Sequence, residues 1–409
     1  MRGATGRVLR DLARAMAREG WQVSVITTGP KASRSKEDGV RVIRVPSVSK
    51  PRSVIGSLTL WRRMAKAARK VEVADLVVSM TDPPFQILIG SAVQKRLGAR
   101  HIHWCQDLYP DLLPCLGIGV PSFVLSFLKR KTMAAMAKCE RVIVIGRCMA
   151  KRLNEDGQAS DNITVVPNWP DIELVSPYGK EGFNVSSRDK GGGLDEEFCE
   201  GDDIAAYRPA ASQIKHGPKF RVLYAGNLGL AHPVETLIGA AALLKEEHPE
   251  VEFAFVGDGP VFDEVAQRRD VEGLSNIRLL PYQPLGRLRT IMESGDVHVI
   301  SMQQDAAGLL VPCKLYAALA VGRPSVFIGP SQSETAKVLQ DYKAGRVVPQ
   351  GDARTLADAI LYYRQNGDAW FSAHHAALEA GKIFLPKASM DAWIERAWAT
   401  IESDIREAA

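Results

Sequence analysis

RVLYAGNLGLAHPVETLIGAAALL, Arg221 to Leu244, is the stretch from which the fold is read. Val222 to Tyr224 is apolar and strand-like. Gly226-Asn227-Leu228-Gly229 is a tight turn, and Glu235 to Leu244 has helical periodicity. Strand, glycine turn, helix is how an α/β domain brings bare backbone N–H groups to a phosphate. Downstream, EFAFVGDGP (Glu252 to Pro260) is another strand ending in glycines. GLLVPCKLYAALAVGRPSVFIG (Gly308 to Gly329) then reads as a loop, a short helix, a Gly-Arg-Pro turn and a buried strand. Lys314 falls in the first turn of that helix, where free N–H groups and the positive end of the dipole favour an anion. Alone, Lys314 is equally a solvated lysine on an ordinary helix, and glycine turns after strands are common. The three pieces in this order within one half of the chain point to a diphosphate.

The flanking sequence is of the same kind. Arg7 to Glu19 is helical, with Val8, Leu12, Ala15 and Met16 on one face, and Gly20 ends it. WQVSVIT, Val40 to Val45, Leu76 to Ser79, His101 to Trp104, Arg141 to Ile145 and Ile163 to Val166 read as strands with helical stretches between them. Strands alternating with helices imply a parallel sheet. The 409 residues suit two domains. Residues 1–170 form the first and residues 171–389 the second, with a final helix within 390–409. The segment 167–177 carries three prolines, and 178–217 is a polar insertion with Gly191-Gly192-Gly193 and an acidic run.

Composition narrows the function classes. The longest apolar runs fall short of a membrane span, and no signal-peptide pattern opens the chain. Six cysteines lie scattered without C-x-x-C spacing or paired histidines, which argues against a zinc site or a disulfide framework and fits a reducing cytoplasm. Charge is uneven. Residues 1–170 hold 28 Lys+Arg against 13 Asp+Glu, a balance of +15, while the rest of the chain stands at −10. A half this basic suggests an anionic partner. Aromatic-basic interleaving and helix-turn-helix or finger spacings are lacking, which argues against nucleic acid. Residues 120–138, VPSFVLSFLKRKTMAAMAK, place Phe123, Val124, Phe127 and Leu128 beside Lys129, Arg130 and Lys131. Such a segment either lies in an anionic lipid interface or is a core helix with a solvated basic end.

Taken together, the motifs resemble family 4 glycosyltransferases of the two-Rossmann-domain (GT-B) type, in the colanic-acid and O-antigen branch. The resemblance rests on Tyr224-Ala225-Gly226-Asn227, on Pro167-Asn168-Trp169, on Pro312-Cys313-Lys314-Leu315 and on Ala320-Val321-Gly322-Arg323-Pro324. It implies an α/β fold of two Rossmann-like domains, with the last helix (Met390 to Ile405) crossing back onto the first. Relatives open with a strand feeding a Gly-Gly turn. This sequence begins at that turn, so the first strand of the N-terminal domain is expected to be missing, as after a start codon called too late.

The resemblance also implies a reaction. A sugar would move, with retention of configuration, from a UDP- or GDP-sugar to a polyprenyl-diphosphate-linked saccharide, at the inner face of the cytoplasmic membrane. No cofactor and no metal would be needed, because Lys314, Gly226, Asn227 and Gly229 offer fixed positive charge and amides. Gly257, Asp258, Gly259 and Tyr282 would complete the nucleotide side. Gly3, Gly6, Gln106 and Asp107 would supply the acceptor side, with Asp107 beside the reaction centre. His103, inside a strand, reads as a packed core histidine more readily than as a base. There is one departure. Many relatives carry two glutamates where Leu309 and Ala317 stand here, so Asp305, as a catalytic candidate, and Glu334, on the donor side, are the replacement carboxylates. Two other readings remain: a nucleotide-sugar epimerase of the same fold, and a non-catalytic GT-B subunit that activates a partner.

Overall fold

Branched apolar runs such as Val40-Arg-Val-Ile-Arg-Val place alternate side chains on one face, and they form strands wherever a helix follows to cover that face. The computed structural model describes residues 4–48, 54–175 and 219–407. Gly3 and the insertion expected at 178–217 lie outside the described residues. The chain divides into two compact units: residues 1–168 with 306–311 and 387–409, and residues 169–305 with 312–386.

The first unit contains α1 (Ala4–Arg18), β1 (Ser24–Gly29), β2 (Ser33–Glu37), β3 (Val40–Pro46), α2 (Val54–Ala68), β4 (Leu76–Ser79), α3 (Gln86–Leu97), β5 (Arg100–Cys105), α4 (Leu112–Cys115), α5 (Ser122–Met136), β6 (Arg141–Val144), α6 (Arg147–Glu155) and β7 (Ile163–Val165). Two sheets result, ordered β1-β3-β2 and β4-β5-β6-β7. Among the described residues no strand joins β1 to β4. Pairing is parallel except for β2, which runs antiparallel to β3. Val8, Leu12 and Met16 bury the apolar stripe of α1, and Gly20 ends the helix region at φ 90°.

The second unit contains β8 (Phe220–Asn227), α7 (Glu235–Leu244), β9 (Val251–Asp258), α8 (Phe262–Val271), β10 (Ile277–Leu280), α9 (Leu288–Ser294), β11 (Val297–Ser301), α10 (Lys314–Ala320), β12 (Ser325–Ile328), α11 (Glu334–Asp341), β13 (Gly345–Val348), α12 (Ala353–Gln365) and α13 (Gly367–Ile383). Its strands form one parallel sheet ordered β10-β9-β8-β11-β12-β13. The order reverses between β8 and β11, where a doubly wound sheet opens a crevice at its carboxyl edge. Phe220, Val222, Tyr224, Phe253, Phe255 and Val299 fill the core beside that point.

The last helix, α14 (Pro386–Glu407), belongs to the first unit from Lys387 onward. Trp393 is fully buried against Trp104 of β5, ring centroids 5.5 Å apart, and Trp398 meets Trp21 at 4.4 Å. Residues 306–311 also join the first unit. Leu108 N–H donates to the Leu309 carbonyl at 2.7 Å, and Asp107 forms an antiparallel bridge with Leu310.

Candidate functional site

The crevice at the β8–β11 switch is built from backbone that leaves no room for side chains. Gly226, next to last in β8, has φ +121°. A Cβ on Gly257, at the end of β9, would stand 2.1 Å from the Gly226 carbonyl oxygen, and one on Gly259 would stand 2.4 Å from that of Leu228. The turn is tied down by Leu228 N–H donating to Asp258 O at 2.8 Å, while Gly259 N–H donates to Asp258 Oδ1 at 2.7 Å. Asp258 therefore supports the loop with both its main chain and its side chain.

Lys314 opens α10 and reaches into this turn. Its Nζ donates to the Asn227 carbonyl at 3.1 Å and lies 4.9 Å from the Tyr224 ring centre. Its Cε would be 3.3 Å from a Cβ on Gly226. Burial brings its ammonium down to about 8 from an ordinary 10.5. The expectation of a helix-terminus anion site is modified here. With only seven residues in α10, the positive charge on offer is that of Lys314 itself.

His232 escaped the sequence reading. Its Nδ1 donates to the Ser301 carbonyl at the end of β11, which leaves Nε2 as an acceptor. Burial first, and the nearby Lys314 charge second, push it down to about 3, so the ring stays neutral. The available signal was Ala-His-Pro directly before α7.

Other expected residues divide by location. Tyr282 follows β10 and is exposed, Asp305 lies in a single turn after β11 and is exposed, and Glu334 opens α11 after β12 and is buried. All three follow the carboxyl ends of parallel strands, the edge that carries Lys314's neighbours. Leu309 and Ala317 have packing roles. Leu309 is 3% exposed with its carbonyl engaged by Leu108, and Ala317 packs against the Leu174, Met292 and Val321 cluster.

In the first unit, Asp107 follows β5 with its N–H on Thr81 Oγ1 at 3.2 Å. Burial, reinforced by the Asp82 carboxylate, pushes its own carboxyl up to about 7. Gln106, expected on the acceptor side, is buried and locked to Asn168 in a reciprocal amide pair, with hydrogen bonds of 3.1 and 2.7 Å. Gly6, expected in a glycine turn, is helical, because α1 already starts at Ala4. His103 is a core residue, bonded through Nδ1 to Ser79 Oγ at 2.9 Å, and desolvation holds it neutral near 3.

The glycosyl transferase 4-like domain model matches residues 3–169, and the glycosyl transferases group 1 model matches residues 219–366. The chain belongs to the family 4 glycosyltransferases. It is 22% identical to the glycosyltransferase WbjE of Pseudomonas aeruginosa, over 72% of this chain and 67% of that protein. It is 24% identical to WcaI of Escherichia coli (strain K12), a glycosyl transferase named for colanic acid biosynthesis, over 82% of each. Among solved structures, HepE of Anabaena in complex with UDP and glucose superposes with a TM-score of 0.67 at 14% identity, covering 97% of this chain and 96% of that one. This glycosyltransferase therefore has the GT-B fold of two Rossmann-like units, and one of its relatives is named for colanic acid biosynthesis.

Proposed function

We propose that the protein is a retaining, metal-independent hexosyltransferase that moves a sugar from a UDP- or GDP-sugar to a lipid-linked saccharide during bacterial surface-polysaccharide synthesis. The observation that carries this reading is the Lys314 ammonium seated on the Gly226–Asn227 turn at the switch point of the second unit's sheet. A diphosphate leaving group needs fixed positive charge where its negative charge develops, and the Lys314 ammonium offers it. In the step proposed, the bond from the anomeric carbon to the phosphate oxygen breaks as the acceptor oxygen bonds to that carbon on the same face. The acceptor's proton passes to the departing phosphate. No protein nucleophile is assigned. Lys314 and the glycine amides stabilise the diphosphate, and Asp107 orients an acceptor hydroxyl.

The lipid-linked acceptor and a place at the inner face of the cytoplasmic membrane are part of the same proposal. Support comes from α5, where Phe123 is 75% and Phe127 49% exposed, with Arg130 and Lys131 exposed on the following turn. No described helix is long and apolar enough to cross a membrane.

The test is a thermal-shift panel of UDP, GDP, ADP and TDP on the parent and on Lys314→Ala. One nucleotide is expected to raise the melting temperature of the parent, and the variant is expected to lose most of that shift. A shift untouched by the substitution would place the diphosphate elsewhere and sink the assignment. Sugar transfer to an endogenous lipid extract, followed with radiolabelled donor, separates a transferase from an epimerase and from a subunit that only binds.

A further inference from the structure

A narrow cavity in the first unit lies between the start of α3, strand β5 and helix α5. Met80, Gln86, His103, Asp107, Thr132 and Met136 line it, and it has room for about one oxygen-sized group. Two of its polar side chains lack partners. Gln86, 9% exposed, has an unsatisfied Nε2, and Thr132, 4% exposed, has an unsatisfied Oγ1. Buried amides and hydroxyls are hydrogen-bonded in native proteins, so two orphans around one space indicate something that fills it. The third polar wall is Asp107, an acceptor when ionised. His103 is fixed behind it by Ser79, which also bonds His101 Nε2 at 2.8 Å.

The entrance carries further signs of a ligand. Phe85 precedes α3 with φ 66°, a left-handed conformation that bulky residues rarely adopt. Its carbonyl accepts from Trp61 Nε1 at 3.3 Å, and no side chain caps the helix it precedes. Phe85 and Tyr109 are both half-buried, with ring centroids 6.3 Å apart. A group that both donates to a carboxylate and accepts from an amide is a hydroxyl or a water. Two partly exposed aromatic rings beside such a pocket suit the C–H faces of a sugar.

We propose that this cavity is a subsite for one hydroxyl of a saccharide, which accepts from Gln86 Nε2, engages Thr132 Oγ1 and donates to Asp107. The inference rests on the glycosyl-transfer reading above and adds Gln86 and Thr132 to it as binding residues.

Saturation-transfer NMR on the full chain tests it, with methyl hexopyranosides and their monodeoxy counterparts as probes and UDP and GDP as controls. The parent is expected to bind at least one glycoside, and loss of one particular hydroxyl should weaken that binding roughly tenfold or more. Gln86→Leu and Thr132→Val should erase that discrimination while leaving nucleotide binding and melting temperature near the parent's. If Gln86→Leu fails to fold, Thr132→Val, which keeps the side-chain shape, carries the test alone. Identical discrimination in parent and variants would overturn the proposal and leave the cavity to an ordered water. Nucleotide binding without glycoside binding would overturn it too, but would leave the transferase reading standing. If neither probe binds, both fall.

Discussion

At the scale of single residues, two titrating groups set an expected pH profile. Lys314 holds its charge below about 8, and Asp107 is ionised above about 7. If the ammonium binds the diphosphate and the carboxylate orients the acceptor, kcat/KM rises through the lower value and falls through the upper, giving a narrow optimum between them. Lys314→Arg keeps its charge at high pH, so the alkaline limb should move upward. Asp107→Asn should remove the acidic limb and lower activity by roughly a hundredfold or more. Limbs that survive both substitutions unchanged would assign the profile to other groups. Folding stability should run the other way. With its folded value below the ordinary 10.5, the Lys314 ammonium costs the ligand-free fold stability. That cost is fully present below about 8 and is relieved as pH rises toward 10.5. Between those values, ligand-free stability should climb while nucleotide affinity drops.

At the scale of elements, the crevice proposed to hold the diphosphate is a contact between two strand ends. The Gly257 Cα approaches the Gly226 carbonyl so closely that any side chain collides with backbone. Gly257→Ala is therefore expected to cost about 3 kcal/mol and to abolish nucleotide binding, read by thermal unfolding and the nucleotide panel. Gly273→Ala is the control: φ is +62° there, but nothing lies within 4 Å of the added carbon. Its cost should stay near 1 kcal/mol with binding intact. Equal effects at both sites would mean that positive φ, and not the strand contact, sets the requirement.

These elements were legible because their chemistry is local. Val222–Tyr224, Glu235–Leu244 and Lys314 announce themselves by periodicity and by glycine. The edge strand β2, Ser33-Arg-Ser-Lys-Glu, did not, because it is polar on both faces and is held by Arg44 bonding Ser35 and Glu37 from β3. The pairing of Gln106 was hidden for a related reason. Its partner Asn168 is 62 residues away, and spacing along the chain cannot report such a pair. Gln86, Thr132 and His232 were illegible in the same sense, since their meaning lies in an unfilled hydrogen bond or a distant carbonyl.

At the scale of the whole molecule, residues 1–170 carry a balance of +15, and α5 shows how its basic segment divides. Lys129 turns inward, paired with Asp111 at 2.9 Å and Asp156 at 2.8 Å, so it serves the fold. Phe123, Phe127, Arg130, Lys131 and Ala134 recur at helical spacing and are all exposed. This face joins two aromatic wedges to two free-facing cations, and Lys131 Nζ stands 5.5 Å from the Phe127 ring centre. Apolar insertion and attraction to anionic headgroups add in such an arrangement, with about 1 kcal/mol for each basic residue near the surface. Vesicle sedimentation should show binding to phosphatidylglycerol-containing liposomes, weak binding to phosphatidylcholine alone, and a decline as salt rises. Phe123→Ser with Phe127→Ser should reduce binding at every salt concentration, because it removes the insertion. Arg130→Gln with Lys131→Gln should reduce it about tenfold at low salt and flatten the salt dependence, because it removes the charge. Both double variants should keep the nucleotide shift, since α5 lies in the first unit and Lys314 in the second. Equal binding to neutral and anionic liposomes, or binding that neither double variant alters, would assign the basic excess to a partner other than a lipid surface.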